Sequence, residues 1–195
     1  MHGTKDAVDT AVGLTLVVGR RRVVEWVADA AEVHPGTTVV DVGCGPGSAV
    51  READRRGAIV IGVDPSAGMR RLARGLTRRH GGSEVQIQAG AAEHLPVPDG
   101  WADVVWAISS AHHWSDVAAG LRECRRISAP GAALLVVERR IGSTAHGLHA
   151  AHGFTGLRAE EVAAVAFDAG YARVDTETIV IGRKPYVVVQ ARRDG

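Results

Sequence analysis

The sequence is poor in the features that mark secreted, membrane-spanning or disulfide-bonded proteins. Its two cysteines, Cys44 and Cys124, are too few for a disulfide framework and show no metal-type spacing. The longest apolar runs have about the length of a strand, so no segment is predicted to span a bilayer. The first ten residues, MHGTKDAVDT, lack the apolar core of a signal peptide. We therefore expect a cytoplasmic protein without a membrane partner.

The sequence also has no excess of charge of either sign. Lys and Arg number 23 and Asp and Glu number 22, which gives a formal net charge of +1. Such a balance predicts no nucleic-acid partner. The basic run at residues 20–22 has apolar neighbours at helical spacing, which favours a solvated helix face over a polyanion site.

The chain has no internal repeat and alternates two patterns. Helical periodicity and Val/Ile-rich runs of strand length follow one another, which predicts a parallel sheet covered by helices on both faces. A chain of 195 residues fits a single domain, residues 1–195. The predicted strands are residues 37–43, 58–64, 84–90, 102–109 and 132–139, and the predicted helices are residues 16–32, 47–56, 66–79 and 116–128.

The C-terminal end breaks this alternation. A helical stretch, 157–171, precedes two β-rich runs at 174–182 and 185–192, and only Arg183 and Lys184 separate those runs. So short a link permits an antiparallel hairpin and forbids a parallel crossover. The run VQIQ alternates apolar and polar residues, which predicts a strand near an edge of the sheet.

A glycine-rich turn follows the first predicted strand. In VVDVGCGPG, residues 39–47, Gly43, Gly45 and Gly47 lie between that strand and a helix. Ligands of open α/β sheets bind at the carboxyl ends of the strands, and glycines there allow a tight turn and close approach. A tight corner without any ligand is the structural alternative.

An acid at the end of the second strand strengthens the ligand interpretation. Asp64 follows Gly43 by about 20 residues, the interval at which a carboxylate accepts hydrogen bonds from ribose hydroxyls. The alternative role, capping the next helix, is one that Ser66 can fill, which leaves Asp64 available to a ligand.

The spacing of the glycines argues against a dinucleotide. The dinucleotide fingerprint is G-x-G-x-x-G, whereas this turn reads G-x-G-x-G and has Ser48 in the third glycine's place. Asp41, inside the strand, also differs from that fingerprint. A buried acid there needs donors, which either the amides of the turn or a cationic ligand can supply.

These motifs, with GVDPS at 62–66, residues 89–114 and residues 121–139, resemble those of a Rossmann-like (class I) S-adenosylmethionine-dependent methyltransferase. The resemblance covers about residues 37–139. It is to the group that includes ubiquinone/menaquinone-type and small-molecule O-methyltransferases. It implies a doubly wound α/β sheet of seven strands in the order 3-2-1-4-5-7-6, mostly parallel with an antiparallel C-terminal hairpin. It also implies S-adenosylmethionine as cofactor and S-adenosylhomocysteine as product.

The resemblance further implies which residues bind the cofactor. Ala91 departs from the family, which often has Asp at this position to meet the adenine amino group; Glu93 or a backbone group would substitute. The implied contacts are Asp41, Gly43, Gly45 and Gly47 with the methionine part, Asp64 with the ribose, Pro65, Ser66 and Met69 with the adenosine, Ala92 and its neighbours with adenine, and the Ala107 backbone with the methionine end.

Two adjacent histidines, His112 and His113, follow the fourth predicted strand at the ligand edge of the sheet. A hydroxyl acceptor must lose its proton during methyl transfer, and a histidine is suited to accept it. Helix capping or plain surface exposure is the alternative. Adjacent residues point in different directions, so we expect a single base and favour His113. Glu138, at the end of strand five, is placed to orient the imidazole or to pair with a neighbouring arginine.

The segment 140–156 contains three more histidines, His146, His149 and His152. We interpret it as an acceptor-binding loop, with His149 as the second candidate base. A site for a divalent cation is the alternative, and no metal ligand is assigned. In similar enzymes the N-terminal segment, here 1–15, folds over the cofactor as a lid.

The expected function is transfer of a methyl group to a hydroxyl of a small acceptor, with sugars, glycosides or oligosaccharides ahead of phenols and polyketide-like compounds. The alternatives are an acceptor nitrogen, carbon or phenolic oxygen, or an inactive cofactor-binding interaction module. The insertion after strand five is short. We therefore expect an acceptor pocket that is open or is completed by a second subunit in a homodimer.

Overall fold

The structure, a computed structural model, describes residues 21–78, 84–142, 153–154 and 156–195. These residues form seven strands and five α-helices. The strands are β1 Thr38–Val42, β2 Ile59–Asp64, β3 Val85–Ala89, β4 Ala102–Ile108, β5 Ser128–Arg139, β6 Tyr171–Ile181 and β7 Lys184–Arg193. The helices are α1 Arg21–Ala30, α2 Ser48–Arg55, α3 Ala67–Arg78, α4 Val117–Ile127 and α5 Gly156–Asp168, and a short 3₁₀ turn spans Ala111–His113.

The strands form one sheet in the order β3-β2-β1-β4-β5-β7-β6. Four neighbouring pairs of strands are parallel: β1 with β2, β1 with β4, β2 with β3, and β4 with β5. Strand β7 pairs antiparallel with both β5 and β6. The predicted order and the predicted C-terminal hairpin are therefore both confirmed.

The sheet is covered on both faces, and the sequence pattern of each strand reflects its position. The central strands β1, β2 and β4 are buried at nearly every residue, as parallel strands between two helical layers are. Strand β3 alternates and forms an edge of the sheet, as VQIQ predicted. Arg74 of α3 donates to the Ile87 carbonyl oxygen of this edge strand at 2.7 Å.

The clearest difference from prediction is the start of β5. The strand begins at Ser128, immediately after α4, and not at residue 132. Ser128 pairs with Ala102, and the register then shifts before Ala133 pairs with Val104. Gly131 lies in this irregular stretch with φ of 79°. The sequence SAPG is typical of a turn, and this irregularity lets it continue the ladder.

Helix α1 packs on the sheet through Val23, Val24, Val27 and Ala28. Arg21 lies on its solvent side and pairs with Glu25 at 2.8 Å, as expected for a solvated basic face. Within the described residues, the helices are all too short or too polar to cross a membrane.

Candidate active site

The glycine turn lies where β1 ends, at the carboxyl edge of the parallel strands. Gly43, Gly45 and Gly47 all have positive φ, at 74°, 52° and 76°. A Cβ on Gly43 would lie 2.5 Å from the Ser110 Cβ, and one on Gly47 would lie 3.2 Å from the Ala73 Cβ. A Cβ on Gly45 would meet nothing within 4 Å. Two of these glycines thus allow close packing within the protein, and Gly45 alone of the three borders open space.

Asp64 connects the glycine turn to the end of β2. Its Oδ2 accepts a hydrogen bond from the Gly45 amide and its Oδ1 accepts one from the Ser66 amide, both at 2.8 Å. Ser66 caps α3 as predicted, because its Oγ accepts from the Met69 amide at 3.3 Å. These two bonds orient the Asp64 carboxylate, and its contact with the ribose remains a prediction. A carboxylate accepts at about four lone-pair positions, so these two bonds do not exclude donors from a ligand.

Asp41 adds a second buried carboxyl group at this edge. It is 3% exposed on β1, between Gly62 of β2 and Trp106 of β4. The thiol of Cys44 lies close by, and burial together with the charges of Asp41 and Asp64 raises its pKa well above the ordinary value. Cys44 therefore stays a neutral, unreactive thiol. The same two carboxyl groups make this part of the edge favourable for a positively charged ligand.

The loop after β3 carries the predicted adenine contacts. Ala92 is buried in it, and Ala91 forms an isolated bridge with His94. Glu93 Oε1 accepts hydrogen bonds from the amides of Ser115 at 2.7 Å and Asp116 at 3.0 Å. Glu93 thus connects this loop to the segment that follows His112 and His113. This link was not predictable from the sequence, because both partners are backbone groups more than 20 residues away.

The end of β4 brings His112 and Glu138 together. His112 Nδ1 lies 2.9 Å from Glu138 Oε2, and the His112 amide donates to Oε1 at 3.3 Å. Glu138 is fully buried, and the His112 side chain is 8% exposed. An ionised Glu138 accepts only, so it selects the His112 tautomer that carries its proton on Nδ1.

The neighbouring His113 has a different environment. It is exposed, and its ring centroid lies 3.9 Å from that of His112 at an interplanar angle of 46°. Glu138 therefore binds the imidazole of His112, whereas the sequence analysis favoured His113 as the base. The 3₁₀ turn at Ala111–His113 decides which ring meets the carboxylate, and adjacent positions in a sequence do not reveal such a turn.

Two serines missed by the sequence analysis shape this turn. Ser110 Oγ donates to the Val42 carbonyl oxygen at 2.6 Å, which joins the ends of β4 and β1. Ser109 has φ of 51°, an uncommon conformation for a residue with a side chain. The only hint in the sequence is that both serines immediately follow a strand at the ligand edge.

Comparison with known proteins agrees with this geometry. The family model described as "Methyltransferase domain" matches residues 40–136. A probable chloroplastic tocopherol O-methyltransferase of Oryza sativa subsp. japonica is 38% identical over 113 residues, covering 57% of this chain and 31% of the relative. A demethylmenaquinone methyltransferase of Corynebacterium kroppenstedtii is 36% identical over 104 residues, covering 53% of this chain and 42% of the relative. The chain thus spans less than half the length of either protein.

A solved structure shares the fold over nearly the whole chain. A crystal structure of a SAM-dependent methyltransferase from Aquifex aeolicus superposes with a TM-score of 0.79 at 22% identity, covering 94% of this chain and 97% of that one. The chain carries a class I S-adenosylmethionine-dependent methyltransferase domain.

The residues of this methyltransferase domain fit S-adenosylmethionine, the cofactor of the class. The open space at Gly45 admits a ligand against the backbone, and the Asp64 carboxylate is fixed beside it. Pro65, Ser66 and Met69 follow Asp64 directly, where the adenosine contacts were predicted. Ala107, on β4, is fully buried. The individual contacts of these residues with the cofactor remain predictions.

Several predictions for the methyltransferase domain lie outside the described residues. They are the N-terminal lid, 1–15, His146, His149 and His152, and most of the acceptor-binding loop, 140–156. Among the residues that are described, no group of three or more His, Cys, Asp or Glu is arranged to hold a metal ion.

A cleft of about 390 Å³ lies at the opposite edge of the methyltransferase sheet, where the parallel strands begin. Glu32, His34, Asp103 and Arg192 are among its lining residues. It is far from the glycine turn and from His112, and ligands of open α/β sheets bind at the other, carboxyl edge. The cleft therefore plays no part in the candidate active site.

Proposed function

We propose that the chain transfers a methyl group from S-adenosylmethionine to a hydroxyl of a small acceptor, and that His112 removes the hydroxyl proton. The observation that carries the proposal is the His112–Glu138 pair, at the carboxyl edge next to the cofactor turn. The Oryza relative, described as an O-methyltransferase, supports oxygen as the acceptor atom. Sugars and glycosides are the first acceptors to test, followed by phenols.

The cofactor supplies a methyl group already activated by a sulfonium. The protein therefore has to orient the acceptor, exclude water and take up one proton. The carboxyl groups of Asp41 and Asp64 favour a cationic ligand at the turn. Gly45 leaves room for that ligand to approach the backbone.

Proton transfer follows from the orientation of His112. Glu138 holds the proton on Nδ1, which leaves Nε2 as the basic atom. As Nε2 accepts the acceptor's proton, the buried carboxylate stabilises the imidazolium that forms, as the third member of a catalytic triad does. Glu93 binds the segment that follows the histidines. It thereby holds the position of His112 relative to the loop after β3, which carries the predicted adenine contacts.

A panel of sugars, glycosides and phenols tests the proposal, with S-adenosylhomocysteine release as the readout. For an acceptor that is methylated, we expect His112→Ala to lower kcat by about 10²- to 10⁴-fold. The affinity for S-adenosylhomocysteine, measured by calorimetry, should not change. His113→Ala should lower kcat by only a few fold. Full turnover by His112→Ala, or the larger loss in His113→Ala, would overturn the assignment of the base.

The panel also tests the alternative of an inactive module. Failure to bind S-adenosylhomocysteine would contradict methyl transfer altogether. If the protein binds S-adenosylhomocysteine and methylates an amine or a carbon acid but no hydroxyl, the acceptor atom is nitrogen or carbon and not oxygen.

A further inference from the structure

Four cationic residues lie at one corner of the sheet. Arg139 and Arg140 follow Glu138 at the end of β5, Arg183 lies in the turn before β7, and Lys184 begins β7. Arg139 pairs with Tyr186, and the Arg140 amide donates to the Pro185 carbonyl oxygen at 2.9 Å. The two pairs of cations are therefore neighbours across the β5–β7 ladder. We name Arg139, Arg140, Arg183 and Lys184 the cationic corner.

All four side chains of the cationic corner are exposed. Among the described residues, none of them forms an ion pair or a side-chain hydrogen bond. Three carboxylates on the same and adjoining elements are engaged elsewhere. Glu138 binds His112, Glu25 binds Arg21, and Glu177 accepts from Gln190 at 3.1 Å.

Several arginines elsewhere in the protein are paired with carboxylates. Arg56 binds both Glu52 and Asp29, and Arg126 binds Glu123 and Asp99. The residues that follow the corner add no negative charge, because residues 141–157 contain histidines but no Asp or Glu. In a chain with a net charge of only +1, four positive charges thus lie at a single corner without an ion-pair partner among the described residues.

The cationic corner adjoins the proposed base. Arg140 lies two residues beyond Glu138, so the two Cα atoms are at most about 7 Å apart. Strand alternation assigns Arg140 to the face of the sheet that Glu138 occupies, and Arg139 and Lys184 to the opposite face, which carries Tyr186. An acceptor whose hydroxyl reaches His112 therefore lies within reach of the Arg140 guanidinium.

Resting on the proposed function, we propose that the acceptor is an anion and that the cationic corner binds its carboxylate or phosphate group. Guanidinium groups match the oxygens of both anions and bind them through paired, charge-assisted hydrogen bonds. Arg140 is the direct contact, and the other cations of the corner raise the positive potential around it. The corner thus selects acceptors by charge while His112 acts on the hydroxyl.

Calorimetry on the protein saturated with S-adenosylhomocysteine tests this proposal without requiring turnover. The probes are matched pairs with the same hydroxyl scaffold: glucuronate and glucose, glucose 6-phosphate and glucose, and 4-hydroxybenzoate and its methyl ester. At least one anion should bind about ten- to a hundredfold more tightly than its neutral partner. The uronate and benzoate arms report a carboxylate site, and the sugar phosphate arm reports a phosphate site. Added salt should reduce the preference.

The variant Arg140→Gln/Lys184→Gln should bind the anion no better than the neutral partner. The control Arg78→Gln/Arg122→Gln removes two exposed arginines from α3 and α4 and should keep the preference. Thermal unfolding of both variants checks that the fold is retained. Equal binding within every pair, no binding of any anion, or an unchanged preference in the corner variant would each overturn the proposal.

Methylation assays on the same pairs separate this proposal from the one on which it rests. If anions bind and their binding depends on the corner, but no probe hydroxyl is methylated, the role of the cationic corner is supported. The same result would count against the proposed function. Equal methylation of anionic and neutral partners would support the proposed function and overturn the role of the corner.

Discussion

At the scale of single residues, the three glycines after β1 are required for different reasons. Gly43 must be small because the Ser110 Cβ occupies the place of its side chain, and Gly47 because Ala73 packs against it. Gly45 has open space and a left-handed backbone whose amide binds Asp64. The sequence predicted a ligand bed from all three, but the partners Ser110 and Ala73 are brought close only by the fold.

This distinction predicts different losses for alanine at Gly43 and at Gly45. Both variants carry the backbone cost of a left-handed alanine, about 1–2 kcal/mol. Gly43→Ala also collides with Ser110 and should lower the free energy of unfolding further, by about 1–3 kcal/mol. Gly45→Ala should show only the backbone cost, together with weaker binding of S-adenosylhomocysteine. Urea unfolding and calorimetry measure the two effects.

The matched control for Gly43→Ala is the double variant Gly43→Ala/Ser110→Gly. Removing the Ser110 side chain relieves the collision but also removes its hydrogen bond to the Val42 carbonyl oxygen. We therefore expect a positive coupling between the two substitutions in a double-mutant cycle. Purely additive losses would show that the collision is not the cause.

A second prediction at this scale concerns Glu138, which acts through His112. Glu138→Gln keeps the shape of the side chain but removes the charge that stabilises the imidazolium. We expect kcat to fall by about 10²-fold or more, with KM for the acceptor and affinity for S-adenosylhomocysteine nearly unchanged. A merely structural Glu138 would instead alter the melting temperature and cofactor affinity together. Steady-state kinetics and calorimetry on one preparation decide between the two.

At the scale of elements, the strands and helices could be predicted from the sequence because their patterns are local. Buried parallel strands require continuous apolar runs, and the short link at residues 183–184 required a hairpin. The irregular start of β5 was not predictable, because SAPG has turn chemistry and joins the ladder only through its pairing with β4. The sequence also could not show which of His112 and His113 binds Glu138, because a single 3₁₀ turn determines which ring faces that carboxylate.

The loop between β3 and β4 depends on one arginine of α4. Arg126 binds both oxygens of Glu123, the Asp99 carboxylate, and the carbonyl oxygens of Leu95 and Val97, with distances of 2.6–2.9 Å. Glu123 in turn accepts from the Leu95 amide at 2.8 Å. This network holds the loop that carries Ala92 and Glu93, and so connects α4 to the cofactor edge.

Arg126→Lys should therefore destabilise the protein even though the charge is kept. A lysine ammonium has three donors and cannot reproduce the planar fork, so several of these bonds would be lost. We expect a loss of about 1–3 kcal/mol in the free energy of unfolding, measured by urea titration. The control is Arg122→Lys, an exposed position on the same helix, where we expect no measurable change. Equal effects of the two substitutions would contradict the structural role of Arg126.

At the scale of the whole molecule, both faces of the sheet carry an acid-sensitive carboxylate. On one face, burial raises the pKa of Glu52 but hydrogen bonds and charges from Arg55 and Arg56 outweigh it, and the pKa is lowered from its ordinary value of 4.5. On the other face, hydrogen bonds from Arg126 lower the pKa of Glu123 against the effect of burial. Glu123 connects α4 with the β3–β4 loop directly, and Glu52 binds Arg56, which connects α2 with α1.

These lowered pKa values predict how stability depends on pH. A carboxyl group whose pKa is lower in the folded state stabilises the protein at pH values above its unfolded pKa. That contribution is lost as pH falls through the folded pKa, so the urea midpoint should decrease when pH is lowered from about 5 to 3. The variant Glu52→Gln/Glu123→Gln should be less stable at pH 7 and show a shallower decrease over this interval. The same slope in the variant and the parent protein would show that other carboxyl groups govern acid unfolding.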